Sequence, residues 1–122
     1  MNWLKKRIGR ERRALEHARR RFVEKPTEKR LHDVRTTGRR FRSLLEDVAE
    51  IAPDTKLLRR VKRAASTTDS ARDATILLRL LEGSVDGAER ESAAPLLASL
   101  REREAEATWC AHRRLRRTRF AG

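Results

Sequence analysis

From Leu31 to Val48 apolar residues return at the three- and four-residue spacing of an α-helix, and a basic stripe runs directly beside them. Leu31, Val34, Gly38, Phe41, Leu45 and Val48 share one face, while His32, Arg35, Arg39 and Arg42 share the next. Arginines that only keep a helix soluble sit opposite its buried face. These four flank it instead, where a neighbouring helix would wall them into a groove, and a groove lined by cationic donors suits a polyanion.

The same period extends over the rest of the chain. Residues 2–24 form a first helix with Leu4, Ile8, Leu15, Ala18 and Phe22 on one side and Lys5, Arg12 and Arg19 along its border. Pro26 fits the first turn of a second helix over residues 26–51. Asp54 is a suitable N-cap for a third over residues 54–82, with Leu57, Leu58, Val61, Ala65, Ile76, Leu77, Leu80 and Leu81 inward and Gly83 at its end. A polar stretch, Ser66 to Asp69, is its weak point. A fourth helix spans residues 88–118, with Pro95 in its first turns. No alternating apolar run competes as a strand. The expectation is an all-α, antiparallel four-helix bundle made of a single domain.

Composition narrows the function. The 122 residues carry a formal charge of +13, so folding gathers like charges that an acidic partner would relieve. Residues 113–119 hold five arginines in seven positions and read as a flexible arm. A single cysteine, Cys110, excludes an internal disulfide framework, and no apolar run reaches membrane-spanning length; the expected setting is the cytoplasm. His17, His32 and His112 fall on different helices without metal-ligand spacing, and no nucleophile, base and orienting acid stand together, so neither a metal, a cofactor nor catalysis is expected.

The spacing His32, Arg35, Arg39, Arg40, Arg42, together with Arg72-Asp73 before an apolar run ending at Leu81, resembles the signature of the CHAD family, all-helical domains that bind inorganic polyphosphate. The resemblance covers residues 28–82 and implies a non-catalytic polyphosphate-binding module. It makes His32, Arg35, Arg39, Arg42 and Arg72 candidate ligands, joined on register by Lys5, Arg12, Arg19, Lys62 and Arg79, with Arg101, His112 and Arg119 placed to close the groove. Arg20, Arg40 and Arg63 project toward solvent. For His32 a hydrogen bond to backbone or a carboxylate near the core is the competing reading, and for Arg72 an ion pair with Glu46 or Asp73.

Polyphosphate offers oxygens and no bases, which matches a chain rich in planar guanidinium forks and poor in aromatic platforms. The phosphate backbone of duplex DNA or structured RNA is the alternative partner. Because family domains are built from two four-helix halves and this chain has the length of one, a homodimer is expected, covering Trp109 or Phe120.

Overall fold

The computed structural model describes residues 2–121. Four helices, α1 (Asn2–Glu24), α2 (Glu28–Asp47), α3 (Thr55–Ser84) and α4 (Arg90–Arg117), make up an all-α protein, and no strand forms among the described residues. Helix α1 packs on α2 and α4, and α3 packs on α2 and α4, while neither diagonal pair meets. Short connections then require an up-down-up-down antiparallel bundle.

The caps explain most of the boundaries. Thr27 rather than Pro26 opens α2, its hydroxyl accepting from the Arg30 amide at 3.2 Å, so Pro26 lies in the connection instead of the first turn. Asp54 caps α3 through the Leu57 amide at 3.1 Å, as its position suggests. Helix α2 ends four residues before the expected residue 51. Its chain closes through tight turns, Ile51 N to Val48 O at 3.0 Å and Ala52 N to Val48 O at 2.8 Å. Pro53 disfavours helical geometry at Ala52 and stops any continuation. Pro95 lies inside α4; lacking an amide hydrogen, it leaves the Glu91 carbonyl without its helical partner.

Helix α3 departs most from expectation. The polar Ser66 to Asp69 stretch does not interrupt it, because Thr67, Thr68 and Ser70 turn their hydroxyls back onto the carbonyls of Arg63, Ala65 and Ser66. Its buried face is Leu57, Val61, Ala64, Thr68, Ala71, Ala74 and Leu78. Ile76, Leu77 and Leu80, expected inside, are 40%, 43% and 63% exposed. Small residues, not the largest apolar ones, mark the packed side, which lets α2 and α4 come close to α3.

The core follows from these faces. Phe22, Phe41 and Phe120 are fully buried at its centre with Leu15, Val61 and Leu115. A second, smaller cluster of Leu78, Leu97 and Leu100 holds the far ends of α3 and α4. Phe120 thus has a place inside a single chain, contrary to the expectation that only a dimer would cover it.

Gly38 is buried in α2, yet a Cβ built there would meet only Leu15 Cδ1, at an ordinary 3.7 Å. Close packing therefore does not require the glycine. Gly38→Ala should stabilise the protein by up to about 1 kcal/mol through helix propensity, raising Tm by a few degrees. A fall in Tm measured by circular dichroism would show that Leu15 has no freedom to yield.

Candidate anion-binding site

Helix α2 places Arg35, Arg39 and Arg42 at successive turns, and α3 faces them with Ala64, Ala65 and Thr68. Since those α3 side chains are short and Gly38 adds none, a narrow cleft of about 90 Å³ remains between the helices. Arg35 also lines the adjoining hollow with His32, Arg72, Leu31, Thr75 and Glu28. Sharing Arg35, the two hollows form one trough along the α2–α3 seam.

Arg35 is the best-defined cation of the trough. Its side chain is 15% exposed and donates to Asp69 Oδ1 at 2.7 Å, which fixes the guanidinium across the seam. Its Nε is buried and meets no acceptor within the protein. A buried charged donor without an acceptor is costly and rare. A small rotation of the side chain would bring it to an anion oxygen in the cleft.

The neighbouring cations are freely available. Arg42 holds Glu46 at 2.8 Å in an exposed pair. That hydrogen bond, aided by the charges of Arg42 and Lys62 and opposed by desolvation, sets the Glu46 carboxyl below its usual range, while Lys62 itself lines neither hollow. Exposed pairs of this kind contribute little and yield readily to a competing anion. Arg39 and Arg72 enter no ion pair among the described residues, so Arg72 lacks the Glu46 or Asp73 partner considered for it. His32 is exposed, 3.4 Å from the Thr36 hydroxyl rather than bonded to backbone or a carboxylate. Arg79 pairs with Glu28 at the far end.

Besides Lys62 and Arg79, three predicted members on α1 line neither hollow of the trough. Lys5 is exposed on α1 and lines neither hollow. Arg12 and Arg19 face α4 and the C-terminal tail: Arg12 Nε donates to the Phe120 carbonyl, and Arg19 Nη1 to the Leu115 carbonyl at 2.8 Å. A basic border on α1 can face either neighbouring helix, and here it faces α4. His112 likewise turns inward, donating to the Val23 carbonyl at 2.8 Å beside Phe22, and Arg101 reaches Glu82 at 3.5 Å.

The residue that sequence reasoning missed is Glu16. Its carboxylate, 5% exposed, accepts from Arg19 Nη2 at 2.6 Å, Arg20 Nε at 2.8 Å and the Phe120 amide at 2.9 Å. Burial pushes its pKa up, but hydrogen bonds from Arg19, Phe120 and Arg20 with the Arg19 charge win, and the value falls from 4.5 to about 2. The spacing Glu16, Arg19, Arg20 was the available signal. Four of the five arginines in residues 113–119 continue α4, and this network holds the segment after Arg117 against the bundle, so the stretch is not a flexible arm. Arg60 adds a further clamp, donating to the Arg119 carbonyl at 2.8 Å.

The docked tail creates a second basic hollow. Arg60 and Arg63 of α3 face Arg114, Arg117 and Arg119 across a cleft of about 670 Å³. Arg20 and Arg63 are exposed as expected, but Arg63 also borders this cleft and Arg20 donates to Glu16. Among the described residues no group of three His, Cys, Asp or Glu side chains could hold a metal, and no helix is long and apolar enough to cross a membrane.

Because the folded pKa of Glu16 is depressed, its stabilisation is complete above the ordinary 4.5 and is lost as the pH falls toward about 2. Glu16→Gln should cost on the order of 3 kcal/mol at neutral pH by stranding buried Arg19, with the gap from wild type narrowing in acid. Thermal unfolding across this range checks it; parallel curves would mean that Glu16 is not the titrating anchor.

The family model for the CHAD domain matches residues 4–121. No curated protein and no solved structure matches.

Proposed function

This chain belongs to the CHAD domain family, and we propose that it binds inorganic polyphosphate in the α2–α3 trough without turning it over. The observation that supports the reading most directly is the buried, partnerless Nε of Arg35. Around it Arg39, Arg72 and His32 offer further donors at different depths, and Arg42 extends the rim. A flexible chain of phosphates can meet such a series, because each guanidinium fork bonds two oxygens while the repeat along the chain repeats the contact. No aromatic side chain lines the trough, so a base would find no surface to stack on. Phe22 and Phe41 are both fully buried. Nucleic acid could then be held only through its phosphate backbone, which makes it the competitor to test.

Arg39→Ala should weaken binding of labelled polyphosphate about tenfold, the worth of one charge-assisted hydrogen bond, whereas Arg40→Ala, outside the trough, should change it by less than about threefold. Log affinity should fall steeply and linearly with log salt. Stronger competition by duplex DNA or RNA than by unlabelled polyphosphate at equal phosphate concentration would reverse the reading, and equal losses in both variants would replace the trough by a diffuse cloud of charge. A polyphosphate length unchanged after prolonged incubation checks the non-catalytic assignment.

We also propose a two-fold pair of chains. Trp109 is exposed, as the dimer expectation requires, and with Ile76, Leu77 and Leu80 on α3 and Leu96 on α4 it is among the apolar residues that the bundle leaves uncovered, whereas Phe120 is not. Repulsion between chains of charge +13 opposes assembly, so a bridging polyanion favours it. Light scattering should give twice the chain mass with polyphosphate present; a monomer throughout would leave a self-sufficient single bundle.

A further inference from the structure

Five arginines converge where α3 passes the end of α4, and their arrangement has no structural explanation within the chain. Arg60, Arg63, Arg114, Arg117 and Arg119 line one cleft with Ala64 and Thr118, and no carboxylate is among the lining residues. Among the described residues Arg63, Arg114, Arg117 and Arg119 make no ion pair, and Arg60 spends one donor on the Arg119 carbonyl. The negative end of the α4 dipole draws cations to its last turn and accounts for Arg114 and Arg117. It gives no reason for α3 to add Arg60 and Arg63 opposite them, where like charges raise the energy of the folded state.

The cleft is also held open rather than left to chance. Glu16 fixes the Phe120 amide, Arg12 the Phe120 carbonyl, Arg19 the Leu115 carbonyl and Arg60 the Arg119 carbonyl. Three guanidinium groups and a buried carboxylate thus set the backbone from which Arg117 and Arg119 project. A hollow whose cationic walls are positioned in advance loses little freedom when an anion enters. Its volume, about 670 Å³ against about 90 Å³ for the α2–α3 cleft, admits several phosphate groups together.

We propose that this α3–α4 cleft is a second site for condensed phosphate, separate from the α2–α3 trough. The two sites lie on either flank of α3, and Ala64 belongs to the lining of both. A long phosphate chain can then engage one protein at two places, and the second contact adds avidity through a high effective concentration. The inference rests on the polyphosphate reading for its ligand class, but its test separates the two sites.

The test titrates the full chain with tripolyphosphate by calorimetry. Wild type should bind about two equivalents, and Arg114→Gln/Arg117→Gln should bind about one with unchanged helicity and Tm; Arg63→Gln/Arg117→Gln should behave alike. Arg39→Gln/Arg72→Gln should also bind about one, by losing the trough. Were the trough reading wrong, wild type would bind about one equivalent, that variant would keep it and the cleft variants would lose it. Arg10→Gln/Arg13→Gln, exposed on α1, removes the same charge and should keep both. Unchanged stoichiometry in the cleft variants, an equal loss in the α1 control, or protection of the cleft by a short DNA duplex and not by tripolyphosphate would overturn the proposal.

Discussion

A single buried carboxylate decides where most of the positive charge in this protein can go. Glu16 lies in the wall between α1 and α4 and accepts four hydrogen bonds, three from the guanidinium groups of Arg19 and Arg20 and one from the Phe120 amide just beyond α4. Taking a carboxylate and an arginine out of water costs several kcal/mol each, and only complete hydrogen bonding offsets it. Here the pairing is complete at Glu16, so burial becomes tolerable and the chain end is fixed with it. Phe120 then fills the core and the arginines before it stand in defined positions.

The basic residues divide into two populations on this basis. Arg12, Arg19 and Arg60 donate to backbone carbonyls of the tail and so act as parts of the framework. Arg39, Arg63, Arg72, Arg114 and Arg117 have no such employment and line hollows. Helix α3 separates the two hollows, and its run of alanine and threonine keeps both open. Larger side chains at Ala64 or Thr68 would fill the space that the arginines border.

Local patterns carried the parts of this structure that depend on one helix alone. The α2 core face, from Leu31 to Val48, and the adjoining basic stripe follow from helical period without knowledge of any neighbour, and Asp54 announces α3. What depended on the choice of neighbour was not legible. The seven-residue spacing of Lys5, Arg12 and Arg19 marks a border but not the helix it adjoins. In α3 the largest apolar residues drew attention to Ile76 and Leu80, whereas close approach selected Ala64, Thr68 and Ala71. The tail looked mobile because five arginines in a row of seven predict repulsion; the compensating anion lies about a hundred residues earlier in the chain.

Charge and folding are coupled through these arrangements. The unliganded fold holds a net +13 and at least one buried guanidinium donor, the Arg35 Nε, without an acceptor. Both features raise the energy of the folded state relative to the unfolded chain, in which each arginine is hydrated and far from the others. A polyanion that binds only the folded bundle recovers that energy, and at a hundredfold excess over its Kd it adds about 2.7 kcal/mol of stability. The buried Arg35 Nε and the acid-free wall of the α3–α4 cleft are therefore places where the fold gives up stability that a bound anion would return. What weakens the bundle alone is what an anion bound to its folded form would restore.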